Sequence, residues 1–327
     1  MQGIELTPEI PVDEVVELGR RAEGEGFDTV FVSSHYNNRD PFQTLARLAA
    51  ETDRVRLGPG VANPYETHPV KLTSQVATLA ESSDDRAVFG VGAGDRSTLR
   101  NLGIDRERPL RRVLETMRVA RRLFAGERVD HDGTFTVRDA GLNYDVGDVP
   151  VYVGAQGPHM LRMAGKYADG VLVNASHPTD VAWSSDRVAE GADDRDPSLA
   201  DPDVAVYASV SVAEDEAAAR EAARPPVAFI AGGADERVLD RHGIEVEAAT
   251  AIGEAVEAGR FDAAFEAVTD PMLDAFSVAG RVETVANRFE ALLEHADSIV
   301  VGAPLGPDRA AAIELAADAF DRVAENR

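Results

Sequence analysis

The stretch from Val55 to Tyr65 constrains the fold of this chain most, because strand-forming and strand-breaking residues stand side by side in it. Its first half favours a β-strand through Val55 and Leu57, and the tripeptide Gly58-Pro59-Gly60 then interrupts that strand. Proline cannot donate a ladder hydrogen bond, and glycine within a strand often marks a bulge or a close approach of backbone. The stretch therefore predicts a buried parallel strand that breaks at its C-terminal end and leaves room there for a flat ligand. A strand followed by an ordinary turn is the alternative.

The charge of the chain argues against several classes of partner. Of the 327 residues, 58 are Asp or Glu and 33 are Lys or Arg, which gives a net charge of -25, and the acids are spread along the whole chain. Such a surface repels nucleic acid and anionic membranes, and it repels itself unless salt screens the charges. We therefore expect a protein of a high-salt cytoplasm, without a nucleic-acid or membrane partner.

The absence of cysteine excludes disulfide bonds, a thiolate nucleophile and a cysteine-ligated metal. The N-terminal segment lacks the basic and apolar regions of a secretory signal, and no apolar run is long enough to span a bilayer. These features predict a soluble cytoplasmic protein, and a hydrophobic content of 44% is enough for a large core.

Short β-branched runs alternate with helical patterns, which is typical of βα units and a parallel sheet. Eight strands are expected, at about residues 3–6, 29–34, 55–65, 87–91, 150–154, 170–174, 203–212 and 298–305. Each is followed by a helix, so the pattern predicts a single α/β domain over residues 1–327, a (β/α)8 TIM barrel with insertions. We expect a hairpin excursion near residues 128–147 and a helical insertion near residues 225–271. A doubly wound sheet competes, but no early G-x-G-x-x-G turn opens a helix.

In such a barrel the active site lies at the C-terminal ends of the strands. The residues at those ends are small and polar, and they suit hydrogen bonding to a planar polar ligand better than metal binding. His35 has no second histidine or acid three or four positions on, and Ser34 has no G-x-S-x-G elbow, so neither zinc nor hydrolase chemistry is supported. The predicted ligand-binding residues are Ser34, His35, Asn37, Gly60, Val61, Asn63, Gly92, Gly94, Asp95, Gln156, Gly157, Asn174 and Ser176.

The turn from Gly154 to Gly157 leads into a helix whose first turn holds Pro158 and His159. Proline is accepted at a helix start, and the free N–H groups of such a start, together with the helix dipole, favour an anion. The turn therefore predicts a phosphate site that includes Gln156, Pro158 and His159. A plain βα turn without a ligand is the alternative.

Two carboxylates are candidate catalytic acids. Glu5 lies within the first strand, and a charge that faces a barrel interior is costly unless it is paired or functional. An outward glutamate in an ion pair is the alternative. Asp95 follows the fourth strand, where a helix N-cap is the alternative role.

Several of these motifs together resemble one family. They are Gly3-Ile4-Glu5, Ser34-His35-Tyr36-Asn37-Asn38-Arg39, Leu57-Gly58-Pro59-Gly60-Val61-Ala62-Asn63-Pro64-Tyr65, Gly92-Ala93-Gly94-Asp95, Gly154-Ala155-Gln156-Gly157-Pro158 and Val171-Leu172-Val173-Asn174-Ala175-Ser176. This set resembles the archaeal methylenetetrahydromethanopterin reductases of the bacterial-luciferase-like superfamily of barrels. The resemblance runs from residue 3 to about residue 305. The chain departs from the family at Ser34, where an acid is usual.

The resemblance implies coenzyme F420, a deazaflavin that moves a hydride, and a reduced pterin that carries one carbon. It implies reduction of a 5,10-methylene-tetrahydropterin to the 5-methyl form, with methanopterin or folate as the carrier, in a haloarchaeal-type homo-oligomer. It also implies a cis peptide bond between Gly60 and Val61, and Glu5 is then the candidate proton donor to the pterin nitrogen. The alternatives are another F420-dependent dehydrogenase, an FMN-dependent monooxygenase and a catalytically silent flavin-binding protein.

Overall fold

A computed structural model describes residues 1–326, so Arg327, the last residue of the expected domain, lies outside the described residues. The strands are β1 (Gln2–Leu6), β2 (Thr29–Val32), β3 (Arg56–Pro59), β4 (Phe89–Val91), β5 (Val129–Asp132), β6 (Thr136–Ala140), β7 (Val151–Ala155), β8 (Gly170–Asn174), β9 (Asp203–Val212), β10 (Val278–Gly280) and β11 (Ser298–Leu305).

The helices lie between these strands along the chain, singly or in groups. They are α1 (Val12–Gly24), α2 (Pro41–Glu51), α3 (Pro69–Ser82), α4 (Arg96–Asn101), α5 (Pro109–Phe124), α6 (Pro158–Tyr167), α7 (Pro178–Ala192), α8 (Glu216–Gly232), α9 (Glu236–Arg241), α10 (Val246–Glu257), α11 (Phe261–Glu266), α12 (Asp270–Phe276), α13 (Val282–Leu292) and α14 (Arg309–Asn326). Among residues 1–326, every helix is too short or too polar to cross a bilayer.

The main sheet has the strand order β3-β2-β1-β11-β9-β8-β7-β4, with β10 beside β9. Parallel bridges from Leu57 to Ala87 and from Ala62 to Val91 connect β3 with β4, the two ends of that order. The expected (β/α)8 barrel is therefore confirmed, and the doubly wound sheet is excluded. Two strands are shorter than expected, since β2 ends at Val32 and β3 at Pro59.

The chain folds into two compact units. The first holds residues 3–173 and 184–205 and contains β1 to β7 with α1 to α6. The second holds residues 174–183 and 206–326, and within it the helices α8 to α12 pack around their own apolar cluster, which includes Val227 and Ile252.

An antiparallel hairpin of β5 and β6 leaves the first unit next to α5. The carboxylate of Glu115 on α5 accepts hydrogen bonds from Thr134 N (2.7 Å), Thr134 Oγ1 (2.7 Å) and Arg111 Nε (2.6 Å), and His131 Nε2 lies 3.2 Å away. Burial alone would raise the pKa of Glu115, but these hydrogen bonds outweigh it and lower the pKa to about 2. The hairpin is therefore fixed to α5 by an ionised, largely buried carboxylate.

A buried ionic cluster fixes the helical segment of the second unit. Asp180, in the first turn of α7, is 9% exposed and accepts a hydrogen bond from Arg241. His242 Nε2 lies 2.7 Å from the other carboxylate oxygen of Asp180, and the His242 ring meets that of His177 edge to face at 4.7 Å. The end of α9 is thus held against the start of α7.

Candidate active site

Glu5 lies on the side of β1 that faces away from the helices. Its neighbour Leu6 points at α1, because a Cβ placed on Gly19 would lie 3.7 Å from Leu6 Cδ1. Successive side chains of a strand alternate between its faces, so Glu5 points to the interior side. Glu5 is 4% exposed, and Thr7 Oγ1 donates a hydrogen bond of 2.8 Å to its Oε1. The first strand therefore carries a buried carboxyl group towards the barrel axis.

Val61 forms the centre of a bulge after β3, where the Gly60–Val61 peptide bond is cis. A Cβ placed on Gly92 would lie 2.6 Å from Val61 Cγ2, and one placed on Gly154 would lie 3.2 Å from the same atom. A Cβ on Gly90 would lie 3.3 Å from Val61 Cγ1. Glycines within β4 and β7 and just after β4 thus leave the space that the Val61 side chain fills.

Backbone hydrogen bonds fix the bulge to β4 as well. Ala62 N donates to Gly90 O (3.0 Å), and Gly92 N donates to Ala62 O (2.9 Å). The bulge is therefore held from two sides, by a side chain packed on glycines and by paired backbone groups, and the ends of β3, β4 and β7 come together around it.

Asn63 shapes the turn after the bulge. It is 5% exposed, and its Oδ1 accepts hydrogen bonds from Tyr65 N (3.1 Å) and Glu66 N (3.0 Å). Its Nδ2 donates to Glu66 Oε1 at 2.8 Å. Gly94 comes close to it with a φ of +73°, and a Cβ there would lie 3.1 Å from Asn63 Cγ. The amide of Asn63 is therefore already used by its own loop, and glycine is required opposite it both by space and by backbone conformation.

Asp95 caps helix α4. Its carboxylate accepts hydrogen bonds from Thr98 N (2.9 Å) and from the hydroxyl of Ser97. Partial desolvation alone would raise the pKa of Asp95, but these hydrogen bonds outweigh it and hold the pKa below its usual value. The helix-cap alternative thus describes the position of Asp95, and a carboxyl held ionised in this way is a poor proton donor.

A cavity of about 180 Å³ lies between the loops that follow β2 and β3. It brings together three of the predicted residues, Ser34, His35 and Asn63, whereas Asn37 is exposed on the turn beside it and does not line it. The full lining consists of Ser34, His35, Tyr36, Asn38, Asp40, Pro41, Phe42, Ala62, Asn63, Glu66, Thr67, Leu72 and Gln75.

Three polar residues of this cavity are not among the predicted ligand-binding residues: Asn38, which the sequence analysis named only within the motif from Ser34 to Arg39, and Glu66 and Gln75, which it missed. The Oε1 atom of Gln75 is buried and has no hydrogen-bond partner among residues 1–326. Gln75 lies in the middle of α3, where a polar residue usually faces solvent, so its position gave no indication of a site. Asn38 and Glu66 each lie within three residues of a predicted position, and the neighbouring polar residues could have indicated them.

Ser33, at the C-terminal end of β2, carries another polar atom without a partner. It is 7% exposed, and its Oγ makes no hydrogen bond among the described residues. Buried polar groups are nearly always satisfied in folded proteins, because an unsatisfied one costs about 1–3 kcal/mol. A ligand with a polar edge at this end of the barrel would supply the missing partner.

The turn after β7 is open. Gln156, Gly157 and His159 are exposed and Pro158 is half-buried, and a Cβ placed on Gly157 would meet nothing within 4 Å. Gly157 is the N-cap of the ten-residue helix α6, with extended backbone. The turn therefore presents the start of a helix to an accessible space, as an anion site requires.

Asn174 and Ser176 belong to the second unit. Asn174 is exposed at the end of β8, whereas Ser176 is 4% exposed, and its Oγ accepts a hydrogen bond of 3.0 Å from Ser209 N. Arg288 Nη1 donates to Ser176 O at 3.2 Å. The hydroxyl of Ser176 therefore joins its loop to β9, and Asn174 is the more accessible of these two predicted ligands.

The chain is similar to proteins of one kind along nearly its whole length. The profile of the family described as luciferase-like monooxygenase matches residues 2–297. A 5,10-methylenetetrahydromethanopterin reductase of Methanolobus tindarius is 42% identical over 96% of this chain and 97% of its own length. The enzyme of the same name from Archaeoglobus fulgidus is 40% identical, with 96% of each chain covered.

A solved structure agrees with these relatives. The coenzyme F420-dependent tetrahydromethanopterin reductase from Methanopyrus kandleri superimposes with a TM-score of 0.91 at 37% identity, over 97% of this chain and 96% of its own. The profile match and the full-length relatives together show to which family the chain belongs. It belongs to the luciferase-like monooxygenase family.

Proposed function

We propose that the protein is a coenzyme F420-dependent 5,10-methylenetetrahydromethanopterin reductase. It transfers a hydride from reduced coenzyme F420 to a 5,10-methylene-tetrahydropterin and gives the 5-methyl form, reversibly. The observation that carries this proposal is the similarity to reductases of that name, which are 38–42% identical and are each aligned over 96% of this chain.

The residues at the strand ends fit a planar cofactor with a polar edge. Ser33 Oγ is a buried hydroxyl without a partner, and Gly92 and Gly154 carry no side chain next to Val61. The residues that would hold the ring are Ser34, His35, Asn37, Gly60, Val61, Asn63, Gly92, Gly94, Asp95, Asn174 and Ser176, and those that would hold its phosphate are Gln156, Gly157, Pro158 and His159. When bound, the reduced deazaflavin supplies the hydride.

The protein supplies orientation and a proton. The Val61 bulge forms a rigid wall, because it packs on glycines and is hydrogen-bonded to β4. A fixed wall of this kind holds a flat ring in one plane and so contributes to rate by orientation. Glu5 donates a proton to the pterin nitrogen as the one-carbon bridge opens, and Thr7 fixes the Glu5 carboxyl group by its hydrogen bond.

The net charge of the chain indicates the ionic conditions in which the enzyme works. We propose a haloarchaeal-type protein that works in a high-salt cytoplasm, because 58 acidic residues against 33 basic ones repel one another unless salt screens them. The same charge disfavours nucleic acid and anionic membranes as partners. We also propose that the chain acts as one barrel domain with its hairpin and helical insertion, and that it forms a homodimer or homotetramer.

An assay with two carriers and two flavins tests the function. The purified protein is mixed with reduced F420 and either methylene-tetrahydromethanopterin or methylene-tetrahydrofolate, and oxidation of F420 is followed by its absorbance. We expect turnover with at least one carrier. Tight binding of FMN with weak binding of F420, or oxidation of F420 with a secondary alcohol or glucose 6-phosphate but with neither carrier, would overturn the proposal.

A further inference from the structure

Large apolar side chains are rarely exposed in this protein. Among residues 1–326, only Tyr36 (49%), Leu102 (40%), Tyr144 (38%), Phe229 (52%) and Phe261 (47%) are both large and exposed. Tyr36 lies on the loop after β2, and Leu102 directly follows α4, the first helix after β4. Exposed apolar surface next to a polar cavity is typical of a site that a ligand covers.

A hydrogen bond brings these two residues to one edge of the first unit. Asn101 Nδ2 donates to the hydroxyl of Tyr36 at 3.3 Å, and Leu102 is the next residue along the chain. Leu102 N donates to Thr98 O (3.3 Å) and Leu99 O (3.1 Å), which fixes the end of α4. This hydrogen bond therefore connects the Tyr36 loop directly to the end of α4, 65 positions along the chain.

Tyr36 also belongs to the wall of the cavity next to the Val61 bulge. It lines that cavity together with Ala62 and Asn63, and the turn that carries it is closed by a hydrogen bond of 3.0 Å from Asn38 N to His35 O. Tyr36 is 49% exposed although it lines the cavity, so part of its surface remains accessible there. Asn38 lines the same cavity, and its amide group can pair with the polar edge of a heterocycle.

We propose that Tyr36 and Leu102 form an apolar platform on which the bicyclic pterin ring of the one-carbon carrier stacks. The inference rests on the proposed function, because that function supplies a flat heteroaromatic substrate. An aromatic face binds any flat ring of this kind, so the deazaflavin ring of the cofactor shares the same chemistry. Tyr36 and Leu102 are 49% and 40% exposed, whereas Ser33, whose buried hydroxyl is proposed to meet the cofactor, is 7% exposed, so the platform lies on the more accessible side. The structure therefore assigns the platform to the carrier.

Three variants test the platform. Tyr36→Ala removes the ring, Tyr36→Phe keeps it without the hydroxyl, and Tyr144→Ala is a matched control, since Tyr144 is similarly exposed and its hydroxyl lies near Ser74 and Thr78 on α3. Dissociation constants for tetrahydromethanopterin are measured by calorimetry, those for F420 by fluorescence titration, and the molecular mass by light scattering.

We expect Tyr36→Ala to weaken binding of the pterin about tenfold, the scale that loss of one ring stack produces. Tyr36→Phe should stay within about threefold of the wild type, because the ring carries most of the stacking. Binding of F420 and the molecular mass should be unchanged in all three variants, and KM for the carrier should rise more than kcat falls.

Each other outcome overturns the proposal. Equal pterin affinity in Tyr36→Ala and Tyr144→Ala shows that no stack exists, and a loss confined to F420 shows that the platform serves the cofactor. A changed mass in Tyr36→Ala shows that a second copy of the chain covers it. A failure of the proposed function gives a different result from a failure of the platform, because the wild type would then bind F420 but neither pterin carrier. In that case the assignment of the platform would also be wrong.

Discussion

A single methyl group added at Gly92 tests whether the Val61 bulge forms a wall of the cofactor site. The Cβ of Gly92→Ala would lie 2.6 Å from Val61 Cγ2, whereas two carbon atoms in contact prefer about 3.5–4.0 Å. The overlap is therefore about 1 Å, and it falls on a side chain next to a hydrogen-bonded bulge. Gly154→Ala is a milder version, because its Cβ would lie 3.2 Å from the same atom.

The size of the effect follows from the size of the overlap. Overpacking a well-packed site costs about 1–3 kcal/mol, so we place Gly92→Ala near the upper end of that range and Gly154→Ala near or below the lower end. If the bulge moves towards the cofactor to relieve the overlap, the dissociation constant for F420 rises roughly 10- to 100-fold in Gly92→Ala and a few-fold in Gly154→Ala. Gly24→Ala is the control, because a Cβ there meets nothing within 4 Å and Gly24 ends the distant helix α1.

Titration of F420 fluorescence gives the affinities, and thermal unfolding reports whether each variant is folded. The double variant Val61→Ala/Gly92→Ala should recover stability relative to Gly92→Ala, because the clashing Cγ atoms are gone. The steric argument is refuted if Gly154→Ala is more harmful than Gly92→Ala, or if the double variant is no more stable. A folded Gly92→Ala protein that binds F420 as tightly as Gly24→Ala shows that Val61 is not a wall of the cofactor site.

Three further predictions concern the carboxylates and the surface. Glu5→Gln keeps shape but cannot deliver a proton, so turnover at saturating substrates should fall about 10²–10⁴-fold while F420 binds normally; turnover within a few-fold of the wild type would make Glu5 a structural acid. Glu115 has a pKa lowered to about 2, so its contribution to stability is present above a pH of about 4.5 and is lost as the pH falls towards 2. Glu115→Gln should therefore lower the free energy of unfolding by about 2 kcal/mol at pH 7. This is less than the roughly 3 kcal/mol of the full shift, because Arg111 is 57% exposed. The deficit should shrink between pH 4.5 and pH 2 in urea titrations, and a deficit independent of pH contradicts the assignment. The melting temperature should fall when salt is lowered from molar to millimolar, and a constant value would remove the halophilic interpretation.

The sequence predicted the barrel and the broken strand because both depend on local patterns. Alternating strand and helix patterns extend over the whole chain, and Gly58-Pro59-Gly60 marks the end of β3 without any knowledge of its surroundings. The sequence placed Gly92 among the ligand-binding residues and Gly154 in the turn after the fifth strand. It could not show that the Val61 side chain packs beside both glycines, because these contacts join residues 31 and 93 positions apart. The identity of the cofactor came from family resemblance alone.

The candidate acids Glu5 and Asp95 show a second limit of sequence analysis. Glu5 and Asp95 both follow the rule that polar groups cluster at the strand ends, and their side chains have the same chemistry. Only the partners separate them, since Ser97 and Thr98 turn Asp95 into a helix cap, and that pairing could have been read from the spacing. The burial of Glu5 could not be read in this way, because it depends on the direction in which β1 faces.

The hairpin of β5 and β6 is connected through Arg112 to the residues that follow the Val61 bulge. Arg112 Nε donates to Pro64 O (2.9 Å), just after the bulge, and its Nη1 donates to Thr134 O (2.8 Å) in the hairpin turn. The guanidinium also lies 4.7 Å from the centre of the Tyr65 ring. Since Glu115, one turn further along α5, binds the N–H and hydroxyl of Thr134, the same turn is held from two sides. The side chain of Arg112 therefore connects the hairpin turn directly to Pro64. The excursion from the barrel thus contributes to the shape of the site even though it contains none of the predicted ligand-binding residues.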